Sequence, residues 1–434
     1  MYRQAMEELL KWKNNKNKKP LILKGARQVG KTWLMKKFGK LEYKKTLYIN
    51  FENNQQMKQI FEIDMNIDRI ILSLEIYSNS KIDHQNTLLI FDEVQEVPKA
   101  LSALKYFNEN NPEYQIICAG SLLGVALHQG TSFPVGKVEF LDIYPLSFIE
   151  FIEAMGKKQL VELLKTRNFK IATSFKTEYV ELLKNYYYIG GMPEVVYNFS
   201  KNRDYNEVKA IQERILIAYE QDFSKHAPNQ DIPKIRMIWN NIPSQLAKEN
   251  KKFIYGLVKE GTRAKEYEMA LLWLFDCGLI HKVQRVTVPA LPLKAYVDLK
   301  AFKLFIVDVG LLSCMVRLKP SVLLNGNDIF KEFKGALSEQ FVFQQLKTLK
   351  NIDTYYWSNN RGSSEIDFLI DTGDKVVPIE VKAEKNLNAK SLKSYHEKYN
   401  PPISIRTAML DYKKEEWLIN LPLWAIEIIE SEVE

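Results

Sequence analysis

Three clusters of residues have the types and spacing to do chemistry. The first is Gly25-Ala26-Arg27-Gln28-Val29-Gly30-Lys31-Thr32, which fits the phosphate-loop pattern GxxxxGK[ST]. Glycines let such a loop curl so that its backbone N–H groups face phosphate, backed by the positive end of the following helix. Lys31 is expected to reach the β and γ phosphates of a nucleotide, and the Thr32 hydroxyl to ligate Mg2+. The second cluster is Leu88-Leu89-Ile90-Phe91-Asp92-Glu93, an apolar run ending in two carboxylates. Here Asp92 is expected to hold the metal through water, and Glu93 to orient and deprotonate the attacking water. The third lies far downstream, where Asp367, Glu380 and Lys382 combine an acid with a Glu-x-Lys pair, and Glu339 lies upstream on a helical pattern. Residues two apart on a strand share a face. Asp367 and Glu380 are therefore placed to chelate a second Mg2+ and Lys382 to stabilise a phosphorane, with Glu339 completing the set.

Ser121, after the run IICAG, stands where a polar residue can sense the γ-phosphate or cap a helix. No arginine finger is assigned; Arg27, Arg203 and Lys137 are the cations considered for it.

These residues need elements to hold them. Pro20–Lys24, Thr46–Phe51, Thr87–Phe91, Tyr114–Ala119 and Val138–Ile143 read as strands, nearly continuous in apolar residues as in a parallel sheet covered on both faces. Helical patterns separate them, so residues 1–150 are expected to form a layered α/β domain. Residues 151–232 read as a helical lid or linker, broken at Gly190–Pro193. Residues 233–300 read as a helix–helix–hairpin module, with helices at Pro233–Lys248 and Arg263–Cys277 and strands at Leu279–Val288 and Leu293–Leu299. Residues 301–434 return to mixed α/β, with a helix at Lys331–Lys347 and strands at Tyr355–Trp357, Glu365–Ile370 and Val376–Val381.

The chain of 434 residues carries a net charge of +8, gathered unevenly. Residues 236–300 hold eleven Lys/Arg against six Asp/Glu, while residues 301–434 hold 17 against 19. A basic module is the footprint of an anionic partner such as DNA. Arg263, Lys265, Lys282 and Arg285 are the expected phosphate contacts there. The three cysteines are dispersed, which points away from a disulfide framework or zinc site. With no run of about 18 apolar residues and no signal-peptide pattern at the N-terminus, a cytoplasmic protein is expected.

The segments GARQVGKT, LLIFDEVQ, IICAGSLLG, VGKVEFLDIYPLSFIEF, GGMPEVV, FKLFIVDVGLL and EIDFLID…VVPIEVK follow one another in that order. In this the chain resembles a family of prokaryotic AAA+ ATPases carrying a C-terminal domain of unknown function. The resemblance implies an AAA+ fold and ATP binding. Lys137 stands where many relatives have arginine, and lysine lacks arginine's bidentate geometry. Residues 233–300 are similar to a winged helix, with Arg263–Cys277 as recognition helix, and residues 301–434 to a restriction-endonuclease-like fold. The expected function is a nucleotide-driven switch or motor acting on DNA through its C-terminal half. The alternatives are a protein-binding switch with an inert nuclease-like scaffold, and an ATP-licensed DNA nuclease.

Overall fold

The computed structural model describes residues 1–120, 124, 134, 136–247, 252–261, 263–325, 331–350, 352–359, 364–383 and 390–433. Two compact units emerge. One comprises Tyr2–Tyr144 with Asp276–Leu279, and the other Met1, Pro145–Phe275 and Ile280–Glu434.

The N-terminal unit is built on five parallel strands: β1 (Leu21–Lys24), β2 (Lys45–Asn50), β3 (Thr87–Asp92), β4 (Gln115–Ala119) and β5 (Glu139–Asp142). Their order is β2-β3-β4-β1-β5. Strand β4 therefore stands between the strand that feeds the phosphate loop and the strand that ends in Asp92. All six residues of β3 are buried, as its unbroken apolar run requires. Phe51, Phe61 and Phe91 pack with ring centroids 5.4 to 6.1 Å apart in the core on one face of this sheet. That contact fixes the end of β3 from which the acids project.

The larger unit holds an eight-stranded mixed sheet. Its strands are β6 (Ile280–Val286), β7 (Val297–Ile306), β8 (Asp353–Ser358), β9 (Glu365–Asp371), β10 (Val376–Val381), β11 (Ser404–Ala408), β12 (Lys413–Lys414) and β13 (Leu418–Pro422). The order is β12-β13-β11-β10-β9-β8-β6-β7. This corrects the expectation of a self-contained module at 233–300. Its two helices exist, at Ile232–Leu246 and Ala264–Asp276, but its hairpin is β6–β7, and β6 pairs in parallel with β8 of the downstream segment. The second arm is also displaced. Leu293–Tyr296 forms a 3-10 turn, and the strand runs Val297–Ile306, its last six residues buried. Alternation along a hairpin cannot tell which sheet it joins; the buried run Ala301–Ile306 on the second arm, apolar except for Lys303, needs cover on its faces, and the helices Ile232–Leu246, Val309–Met315 and Lys331–Leu346 pack against this strand.

Two sequence motifs of this unit meet at one carboxylate. Asp308 caps the helix Val309–Met315, accepting from the Leu311 N–H at 3.0 Å. It also accepts from the Gly191 N–H at 2.6 Å and from Gln344 Nε2 at 3.1 Å. A Cβ on Gly190 would lie 2.0 Å from Asp308 Oδ1, which is why the Gly190–Gly191 turn tolerates no side chain there. Burial pushes Asp308 up to about 6, outweighing these hydrogen bonds. The folded state thus holds more protons than the unfolded one between pH 3.8 and about 6, so this group's contribution to stability is lost as pH rises through that window. The effect is roughly 3 kcal/mol at 1.36 kcal/mol per unit. Thermal melting at pH 5 and pH 7 checks it: the acid-side gain in the wild type should shrink in Asp308→Asn, which does not titrate.

Candidate nucleotide site

The phosphate loop leaves β1 at Gly25, whose φ of 141° is open to glycine alone, and a Cβ there would meet the Ile143 carbonyl at 2.1 Å. Gln28 and Gly30 also have positive φ, at 68° and 92°. Ala26 and Val29 are buried and anchor the loop, while Arg27 and Gln28 are exposed. Gly30 caps the helix Lys31–Glu42, so the loop N–H groups and the helix N-terminus belong to one feature. Arg3 braces it from outside the motif, donating to the Val29 carbonyl at 3.1 Å and the Tyr144 carbonyl at 2.7 Å. Nothing in the sequence around Arg3 marks it for that role.

Lys31 is 7% exposed, and its Nζ donates to the Gly25 and Ala26 carbonyls at 2.8 Å each. Burial lowers its pKa to about 8, against the attraction of Glu93 and Asp92. The ammonium thus rests in the curl of the loop on two carbonyls that an incoming phosphate can outcompete.

Thr32 Oγ1 donates to Asp92 Oδ2 at 2.7 Å, joining the two motifs. The same Asp92 oxygen accepts from the Tyr48 hydroxyl at 3.0 Å, and Oδ1 accepts from the Glu93 N–H at 3.2 Å. Tyr48, on β2, lies under the Lys36 ammonium, 3.5 Å from its ring centroid. Register explains its place: β2 and β3 pair in parallel from Lys45↔Thr87 to Asn50↔Asp92. Glu93 adopts a left-handed backbone (φ 52°, ψ 42°) that ends β3, and its Oε2 accepts from Gln95 Nε2 at 2.7 Å. Tyr48 and Gln95 escaped the sequence reading because a tyrosine in a strand and a glutamine after two acids are common.

A phosphate loop beside paired strand-end acids implies a nucleotide and Mg2+. The hard oxygen donors Thr32 and Asp92, 2.7 Å apart beside the loop, fit that metal. Ser121 lies outside the described residues. Of the three cations considered for a finger, Lys137 is paired with Glu109 at 2.9 Å, Arg203 stacks over Phe199 at 5.2 Å, and Arg27 is exposed.

The C-terminal residues also converge. Asp367 on β9 accepts from the Val381 N–H at 2.7 Å, and Glu380 on β10 pairs with Lys382 at 2.5 Å. Glu339, on the helix Lys331–Leu346, is close enough to raise the pKa of both Glu380 and Lys382 by its charge. Burial is the largest cause of the rise at Glu380. The sequence reading missed a further member, Lys303 on β7, which pairs with Glu365 at 2.5 Å and lies 3.7 Å from Glu339. Among the described residues, no three His, Cys, Asp or Glu side chains form a group that could hold a metal ion. The donor set that was expected to chelate a second Mg2+ is instead interleaved with two lysines.

In the basic stretch, Arg263, Lys265 and Lys282 are exposed. Arg285 is instead paired with Asp298 at 2.6 Å, which removes it from the expected phosphate contacts. No helix among the described residues is long and apolar enough to cross a membrane.

Residues 17–152 match the model of an AAA domain, and residues 180–322 and 334–426 match two models described as domains of unknown function, DUF8612 and DUF4143. No curated protein matches the chain. Among solved structures, the Walker-type ATPase PABY2304 of Pyrococcus abyssi is 15% identical, with 72% of this chain and 95% of that one covered at a TM-score of 0.43. The Orc1 protein of Aeropyrum pernix, solved in complex with DNA, is 11% identical over 73% and 91% of the two chains, at a TM-score of 0.27. Cdc6p of Pyrobaculum aerophilum is 11% identical over 74% and 93%, at 0.25. Scores this low bear on neither activity nor the arrangement of the units. The matched segment contains the phosphate loop, the paired acids and the strand between them, so residues 17–152 carry an AAA-type P-loop domain, and two domains of unknown function follow it in the sequence.

Proposed function

We propose that the chain binds Mg-ATP at Gly25–Thr32 and hydrolyses it with Glu93 as the water-activating base, and that the nucleotide state drives the C-terminal half on DNA. The observation that carries the ATP reading is the bond from Thr32 to Asp92, with Lys31 and Glu93 flanking it. When bound, Mg2+ supplies charge neutralisation on the phosphates. The protein's own part is positioning. Loop N–H groups hold the phosphates, Tyr48 and the Glu93 N–H orient Asp92, and Gln95 orients the Glu93 carboxylate that takes the proton from water.

The DNA reading is supported by the exposed cations Arg263, Lys265 and Lys282. A second reading, a protein partner, is favoured by Met269 and Leu272 on the helix Ala264–Asp276, which are 60% and 40% exposed. ATP turnover with and without single- and double-stranded DNA separates the two. DNA binding should weaken with salt by a log–log slope of about −0.9 per phosphate contact, and reversing Arg263 and Lys265 together should flatten it by about two units. Salt-independent binding, or none at low salt, turns the reading to a protein partner.

A further inference from the structure

Lys303 is fully buried, on a strand whose neighbouring residues are apolar and buried. A lysine at such a position is rare unless carboxylates receive it. Here Glu365 lies 2.5 Å away, Glu339 3.7 Å, and the Tyr356 ring centroid 4.9 Å. Burial opposes its charge, but Glu365, Glu339 and Asp367 together hold its pKa above the ordinary lysine value. The remaining members have partners of their own, although the buried Glu380 Oε2 makes no hydrogen bond. Asp367 takes the Val381 N–H, and Glu380 pairs with Lys382 at 2.5 Å.

We infer that Lys303 occupies the cation position of the Glu339–Glu365–Asp367–Glu380 cluster, so that this half of the protein works without a divalent metal there. The residues do not fit the metal that a nuclease-like fold implies. A divalent ion entering the cluster would sit beside a buried ammonium with little water to screen the repulsion. It would also have to compete with the Val381 N–H for Asp367 and share Glu380 with its lysine. The cluster is an ion network that joins β7, β9, β10 and the helix Lys331–Leu346. Metal-assisted phosphodiester cleavage is then not its reaction. This inference is independent of the ATP reading, because it concerns the C-terminal residues alone.

The test is Mn2+ binding to the nucleotide-free full-length chain, followed by titration calorimetry and by the spin-resonance signal of free Mn2+. In the wild type, Mn2+ uptake should be unchanged by Glu380→Gln. Lys303→Met removes the resident cation and leaves its carboxylates uncompensated. It should gain Mn2+ binding at least tenfold tighter than the wild type, and the added Glu380→Gln should abolish that gain. Lys303→Arg keeps the charge and should show no gain. Wild-type Mn2+ binding that Glu380→Gln removes would overturn the inference, as would a folded Lys303→Met with no gain. Should Lys303→Met fail to fold, the comparison of wild type with Glu380→Gln decides alone.

Discussion

Lys31→Ala should abolish the rise in melting temperature that Mg-ATP gives the wild type. A ligand at about 100 times its dissociation constant stabilises the folded state by about 2.7 kcal/mol. The substitution removes the ammonium proposed to meet the β and γ phosphates, but its two present partners are loop carbonyls that gain room to bind water. The nucleotide-free variant should therefore stay folded, and an unchanged ATP shift in it would remove Lys31 from the phosphate site. A pH signature accompanies this. Burial holds Lys31 at about 8 without nucleotide, and phosphates favour its charged form. Above pH 8, ATP binding should take up a proton, and affinity should fall as pH rises toward the ordinary lysine value, by up to tenfold per unit. For the nucleotide-free protein the sign reverses. The folded state binds fewer protons than the unfolded one above pH 8, so this group adds stability as pH rises. Calorimetry in buffers of different ionisation enthalpy reads the uptake directly.

The nucleotide half was legible because its physics is local. The buried run Leu88–Phe91 of β3 must be apolar, a loop with φ of 141° at Gly25 must have glycine there, and the acids stand at the end of the strand that carries them. The larger unit was harder because its decisive contacts are distant in sequence. Lys303 meets Glu339 and Glu365, and Asp308 meets Gly191; no spacing rule connects such pairs. One signal was present, a lysine within the run AFKLFIV, which asks for buried carboxylates as soon as the run is read as a strand. The basic stretch misled for a related reason. Counting charge treats Arg285 as available, whereas Asp298, 13 residues on, pairs with it across the β6–β7 hairpin. The expected wing went wrong at the same place, since strand pairing with β8 depends on residues 71 positions downstream, as in Gln284↔Tyr355.

Glu93→Gln should separate binding from hydrolysis. The amide keeps the length and shape of the carboxylate but cannot accept the proton of the attacking water, and a positioned base contributes roughly 10²- to 10⁴-fold. Turnover should fall within that range while the ATP-dependent melting shift persists, because Lys31, Thr32 and Asp92 are untouched. The hydrogen bond from Gln95 sharpens the test. Its Nε2 donates to Glu93 Oε2 at 2.7 Å, so Gln95→Leu frees the carboxylate without removing it. If Gln95 only positions the base, this variant should lower kcat with little change in KM, and Gln95→Asn, with a shorter amide, should recover less than the wild-type rate. The left-handed backbone at Glu93 adds constraint, since it turns the chain off β3 directly after Asp92. Wild-type turnover in Glu93→Gln would mean that another group activates the water. Loss of the ATP-dependent melting shift would mean instead that Glu93 holds the shape of the site, and single-turnover hydrolysis measured beside thermal shift tells the two apart.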